Sequence, residues 1–152
     1  MTRRGFTVAE LITVIAIVGI LAGVAVPMAR FGYRRQKEME LRQRLRVFEN
    51  AIDQYHELRM KGVIKIPPKF GQGEYPKDLE ELTKPIELLD GKKILLLRKS
   101  ALIDPITGRT EWRTVSSSDD VDAISSNQDN VWDVHSTSPA LALDGKTHYS
   151  EW

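Results

Sequence analysis

Hydrophobic and polar positions change rhythm at Arg30, and the two rhythms predict two uses of one helix. From Leu11 to Ala29 no residue is ionisable. At about 1.5 Å per helical residue this stretch nearly reaches the roughly 30 Å of a bilayer's hydrocarbon core. From Arg30 to about Lys61 the pattern predicts that the helix continues in water. Leu41, Leu45, Phe48, Ile52 and Tyr55 recur every three or four residues as an apolar stripe, while Arg42, Arg44, Arg46, Glu49 and Asp53 take other faces. The stripe is the expected seam against a head domain.

Beyond Gly62 the helical period stops, and Val63 to Gln72, with Pro67, Pro68 and Gly71, reads as a loop. Glu74 to Leu82 predicts a short helix with Leu79 and Leu82 facing inward. Leu88 to Leu97 stays open: Asp90-Gly91 invites a hairpin, whereas the leucines also fit a helix. Asp104-Pro105-Ile106-Thr107-Gly108 is a turn, followed by a strand from Trp112 to Val115. Val131 to Ser136 predicts a strand with Trp132 and Val134 on one face, and Leu141 to Tyr149 a tight hairpin around Asp144-Gly145. Trp152 is expected to plug the core of the head. The fold expected is α+β, a ladle whose long N-terminal helix packs its second half on a small antiparallel sheet.

Within the apolar stretch, Gly19 and Gly23 form a GxxxG spacing, with Ala16, Ala22 and Ala25 nearby, so one face allows close helix approach. Pro27 has no N–H, which leaves the Gly23 carbonyl without its helical partner and predicts a bend or loosening. The carboxylate of Glu10 stands at the start of the stretch. A local reading makes it a complement to the helix dipole. A secretory signal peptide does not fit, because the apolar run is too long and no small-residue cleavage site follows it before Pro27 and Met28. A plain signal anchor leaves Gly5-Phe6 and Glu10 unexplained.

Met1-Thr2-Arg3-Arg4 followed by Gly5-Phe6-Thr7-Val8-Ala9-Glu10-Leu11 and an unbroken apolar helix resembles the class III signal sequence of type IV pilins and type II secretion pseudopilins. The resemblance implies that a prepilin peptidase cuts between Gly5 and Phe6 and methylates the new amine of Phe6. It divides the chain into a leader, 1–5, a membrane and filament-core helix, 6–29, and an amphipathic helix with a periplasmic α+β head, 30–152. It further implies that Glu10 pairs with the Phe6 amine of a neighbouring subunit, and that the part of the helix from Gly19 to Pro27 unwinds within a filament. Tyr75-Pro76 before Asp78-Leu79-Glu80-Glu81-Leu82, and the Asp104 to Gly108 turn before Trp112, are similar to elements of the major pseudopilins of type II secretion.

For such a subunit the implied partners are further copies in a helical filament, minor pseudopilins, an inner-membrane assembly platform with a separate ATPase, an outer-membrane secretin and the lipid bilayer. The implied location is the inner membrane, single-pass, with the head in the periplasm. Alternatives are a type IV pilin for adhesion, motility or DNA uptake, and a membrane-anchored periplasmic binding or sensory domain.

Composition sharpens this picture in three ways. The 152 residues fit one domain of ordinary size, and 41% hydrophobic with 28% charged residues is normal for a folded chain. With no cysteine, disulfides and thiolate metal sites are ruled out, which favours a pseudopilin over a disulfide-stapled pilin. Loss of residues 1–5 would take two of the 22 basic residues, leaving 20 against 21 acidic ones.

The basic cluster Arg30, Arg34, Arg35 and Lys37 opposes the positive-inside rule if the head is periplasmic. It is expected to meet lipid headgroups, or Glu38 and Glu40 of adjacent subunits, with a solvated face as the alternative. Nucleic acid is not expected as a partner, since neither a basic excess nor interleaved aromatics accompany the cluster.

Candidate chemistry is sparse. His56, His135 and His148 lack ligand spacing, Ser116-Ser117-Ser118 lacks a nucleophile elbow, and no Walker motif is present, so no enzyme activity is expected. Ser116 to Asp133 is rich in oxygen donors of the kind Ca²⁺ takes. The resemblance implies a calcium-binding C-terminal loop, whose place here is Ser136 to Gly145 with Asp144 in a Leu-Asp-Gly element. The glycine-rich and acid-rich extension beyond that element is missing. Asp144 serves equally as a hairpin-turn residue.

Overall fold

The structure, a computed structural model, describes residue 5 and residues 7–65, 74–119, 127 and 129–152. It is a mixed α+β fold with one long N-terminal helix and two small antiparallel ladders. The chain divides into two units, Met1–Gln36 and Lys37–Trp152.

Helix α1 runs from Val8 to Met60, with Pro27 inside it. Thr7 begins it: its hydroxyl accepts the Glu10 N–H at 3.2 Å, and its carbonyl accepts the Leu11 N–H at 3.1 Å. One of the orphan donors of the first turn is thereby satisfied. At the other end Gly62, with φ of 64°, reverses the chain. The Val63 N–H reaches the Leu58 carbonyl at 3.2 Å and the Gly62 N–H reaches Arg59 at 3.0 Å, the bond pair of a Schellman cap.

The predicted stripe is the seam of the second unit. Leu41, Phe48, Ala51, Ile52 and Tyr55 are buried, with Leu45 half-buried among them. The main core adds Leu79 and Leu82 from α2 (Leu79–Leu82), Ile86 from β1 (Ile86–Glu87), Leu97 and Ala101 around a 3₁₀ turn, and Val131 and Val134. Asp78 caps α2, its carboxylate accepting the Glu81 N–H at 2.7 Å. Phe48 is fully buried and meets Trp112 edge to face at 4.8 Å. Truncating such a phenylalanine costs about 3–5 kcal/mol.

The open question at Leu88 to Leu97 resolves as a hairpin. β1 pairs antiparallel with β2 (Lys93–Ile94), and Gly91 supplies the positive φ of 81° that its turn requires. The leucine run is therefore strand and loop, and Ile64 adds an isolated bridge to Leu88. β3 (Trp112–Val115) pairs antiparallel with β4 (Asp133–Ser136), Trp112 opposite Ser136.

Four expectations are corrected. The small antiparallel sheet expected for the head is antiparallel but divided into two separate two-stranded ladders: β1 and β2 are only two residues each, and the chain after them turns through a 3₁₀ helix and the Asp104 turn before β3 begins. Trp132 does not share a face with Val134, because the strand starts only at Asp133. Val131 and Val134 are buried while Trp132 lies 50% exposed. The C-terminal hairpin is present but shorter than expected: Leu141 bridges His148 and the Ala142 N–H reaches the Thr147 carbonyl at 2.8 Å, whereas Tyr149 is already in a 3₁₀ turn, Tyr149–Glu151. Trp152 does not plug the core but sits half-buried at the rim of a smaller cluster of Leu41, Ala142 and Tyr149, with Arg42 stacked over its ring at 4.2 Å. The loop expected over Val63 to Gln72 lies mostly outside the described residues.

Candidate assembly segment and its polar anchors

In α1, every residue from Val8 to Gln36 is exposed. The run includes Leu11, Ile15, Ile20, Leu21 and Met28, each at least half exposed. Leaving a large aliphatic side chain in water forgoes roughly 1.5–3 kcal/mol of burial, so this surface calls for an apolar environment outside the chain. The helix is long and apolar enough to cross a membrane.

The sequence-predicted residues fall along it. Gly5 is exposed, whereas Phe6 lies outside the described residues. Glu10 is exposed at the first turn, and its carboxylate has no partner among the described residues. Gly19 and Gly23 have nothing within 4 Å of where a Cβ would stand. Glycine in a helix interior costs about 1 kcal/mol relative to alanine, and no contact among the described residues requires it at either place. The helix assignment continues through Pro27.

In the Lys37–Trp152 unit, Glu38, Asp104 and Asn130 make hydrogen bonds across the fold that the sequence did not reveal. Glu38, expected to meet basic residues of another subunit, instead binds within the chain. Its Oε1 accepts the Leu143 N–H at 2.6 Å and the Tyr149 hydroxyl at 3.0 Å. Glu40 is likewise taken, by Lys37 at 3.9 Å and Arg44 at 3.6 Å. Asp104 is fully buried: Oδ1 accepts the Ile106 N–H at 2.7 Å, and Oδ2 accepts the Ser136 hydroxyl at 2.7 Å. Asn130 is also buried, its side-chain oxygen accepting the Ser116 hydroxyl and the Ser117 N–H, each at 3.0 Å. Of these three, Asp104 has a local signal, its Asp-Pro-x-Thr-Gly turn, and at the start of α1 the Thr7-x-x-Glu10 spacing is that of a capping box.

The two residues considered for calcium hold protein partners. Ser136 is fully buried and committed to Asp104. Asp144 is exposed and accepts the N–H groups of Lys146 and Thr147 at 2.8 and 3.0 Å and the Thr147 hydroxyl at 2.7 Å. Those backbone donors, Lys146 first, hold its carboxyl down at a pKa of about 2. Among the described residues no group of three or more His, Asp or Glu side chains converges as metal ligands do.

The histidines make local contacts: His56 stacks on Tyr75 at 4.5 Å, His135 faces the Trp152 carbonyl at 2.7 Å, and His148 the Pro139 carbonyl at 2.7 Å. Burial, followed by the neighbouring Glu81 carboxylate, pushes the Tyr55 hydroxyl up to about 12.

Compared with family models, curated proteins and solved structures, the chain matches none.

Proposed function

We propose that this chain is a structural subunit of the type IV pilin-like superfamily, acting as the major pseudopilin of a type II secretion system. In this reading residues 1–5 are removed, Phe6 becomes the methylated first residue, and the apolar part of α1 rests in the inner membrane until copies stack into a periplasmic filament. The filament drives folded proteins through an outer-membrane secretin. The work comes from a separate ATPase on the membrane platform.

The observation that carries the proposal is the exposed apolar face of Val8 to Met28, entered through Gly5-Phe6 and Glu10, in a chain whose other unit builds its own core. Lipid satisfies that surface before assembly, and neighbouring copies satisfy it afterwards. Within that surroundings an unpaired Glu10 is costly, and removing one partner of a buried ion pair costs about 3–5 kcal/mol. Pairing with the Phe6 amine of the next copy therefore selects one register. The open sites at Gly19 and Gly23 support close packing between copies.

Intact-mass analysis of protein from its native host tests the processing step, with a methylated chain starting at Phe6 expected. Deleting the gene, then scoring protein secretion separately from surface pili and twitching, tests the assignment. Lost secretion is expected. Lost pili with normal secretion would make the protein a type IV pilin, and an unprocessed monomer beginning at Met1 would end both readings.

A further inference from the structure

Where the uncharged stretch of α1 stops at Ala29, Arg30, Phe31, Tyr33, Arg34 and Arg35 follow within six positions, all of them exposed on the helix. At about 100° per residue, Arg30, Arg34, Phe31 and Arg35 span about 140° of the helix circumference, and Tyr33 widens this to about 200°. A partner helix would ask for a stripe along one face. This group is instead a short band over rather more than half of the circumference. Its height, from Arg30 to Arg35, is about 7.5 Å, which matches the roughly 5–8 Å of headgroup region on each side of a bilayer's hydrocarbon core. The stretch from Leu11 to Ala29 matches the core itself.

We propose that Arg30, Arg34 and Arg35 form a collar that holds the phosphate groups of anionic phospholipids, with Phe31 and Tyr33 seated at the boundary between headgroup and acyl chain. The inference rests on the membrane-spanning reading above and adds a lipid preference to it. Arginine suits the role because its guanidinium binds phosphate through two parallel N–H groups, while its aliphatic stem lies along the apolar helix. Tyrosine belongs at the same depth. Below the collar the helix is uncharged back to Leu11, and above it Lys37 pairs with Glu40. It also gives a physical reason for basic residues on the side where the positive-inside rule disfavours them. They fix the depth of the span through headgroups, and extraction into a filament must break those contacts.

The full chain, reconstituted into vesicles of equimolar phosphatidylcholine and phosphatidylglycerol, is probed by electron paramagnetic resonance with a trace of either lipid spin-labelled on its acyl chain. The fraction of immobilised label measures lipid held at the protein. An arginine at an anionic surface is worth roughly five-fold in association. Phosphatidylglycerol is therefore expected to be preferred about five-fold, with the preference falling to near unity in R30Q/R34Q/R35Q and in 1 M salt, a concentration that shrinks the Debye length to about 3 Å.

Glutamine is a good helix former, and circular dichroism is expected to be unchanged in the variant. Equal immobilisation of both lipids by the wild type, or an undiminished preference in the triple variant, would overturn the collar while leaving the membrane span intact. No immobilised component with either label would show that the chain does not insert, and would overturn the span and the collar together.

Discussion

Replacing Glu38 by alanine tests what ties the C-terminal region to the helix. One carboxylate oxygen accepts both the Leu143 N–H at 2.6 Å and the hydroxyl of Tyr149 at 3.0 Å, and Tyr149 is 3% exposed. Hydrogen bonds to a charged group contribute about 1.5–3 kcal/mol each. Glu38 is only half-buried, so water can partly replace it, and the expected loss for both bonds is about 2–4 kcal/mol. Glu38→Gln keeps an acceptor of the same shape without the charge and should lose about 1 kcal/mol. Tyr149→Phe, removing one donor, should also lose about 1 kcal/mol.

Guanidinium unfolding of the full chain in detergent, followed by tryptophan fluorescence, reads the relevant unit. All three tryptophans, Trp112, Trp132 and Trp152, lie within Lys37–Trp152. The double variant Glu38→Ala/Tyr149→Phe should destabilise by about 1 kcal/mol less than the sum of the single changes, since they share a bond. A Glu38→Ala loss below about 0.5 kcal/mol, in the range of an ordinary surface substitution, or full additivity with Tyr149→Phe, would refute the claim that this carboxylate anchors the C-terminal turn.

Under the proposed function, Glu10→Ala should leave the protein cut and inserted yet unassembled, and normal filaments by electron microscopy would contradict the proposed pairing with Phe6. Tyr55→Phe removes a 3.0 Å bond to Glu81 and should cost about 1 kcal/mol at neutral pH. Because the Tyr55 pKa is raised to about 12 from the ordinary value near 10, its contribution is fully present below about pH 10 and lost as pH rises through 12. The variant should therefore show a flatter alkaline limb in a pH series of unfolding midpoints.

Asp144 behaves oppositely, its carboxyl held at about 2 against an ordinary value of about 4. Its contribution is present above about pH 4 and disappears as pH falls toward 2, so Asp144→Asn should flatten the acid limb of the same series. Gly62→Ala forces a Cβ into the left-handed region at φ of 64° with open space around it. Melting by circular dichroism should show a loss of about 1 kcal/mol.

Local chemistry explains what could be read from the chain. The stop of α1 at Gly62, the buried stripe from Leu41 to Tyr55, and the Asp104 turn with Gly108 at φ of 71° each depend on residues within a few positions of one another. Periodicity and turn chemistry therefore reveal them. The proposed assembly residues from Gly5 to Pro27 could be named from the sequence because they lie along one uninterrupted stretch of the chain, most of it helical. Trp132 escaped because burial in a strand alternates with every residue. That alternation would set Trp132 beside Val134, but β4 begins only at Asp133, so the ring lies outside the strand and is exposed.

The sequence by itself determined where apolar surface must be buried and where the backbone must turn, since both are properties of neighbouring residues. Only the tertiary structure decided which polar groups meet across the fold. Glu38 reaches Leu143 and Tyr149, and Asp104 reaches Ser136, over separations of 105, 111 and 32 residues. Such pairs depend on where the returning chain comes to rest after its apolar residues are packed. A carboxylate on a helix has the same local signature whether it faces water, another copy or its own C-terminal turn.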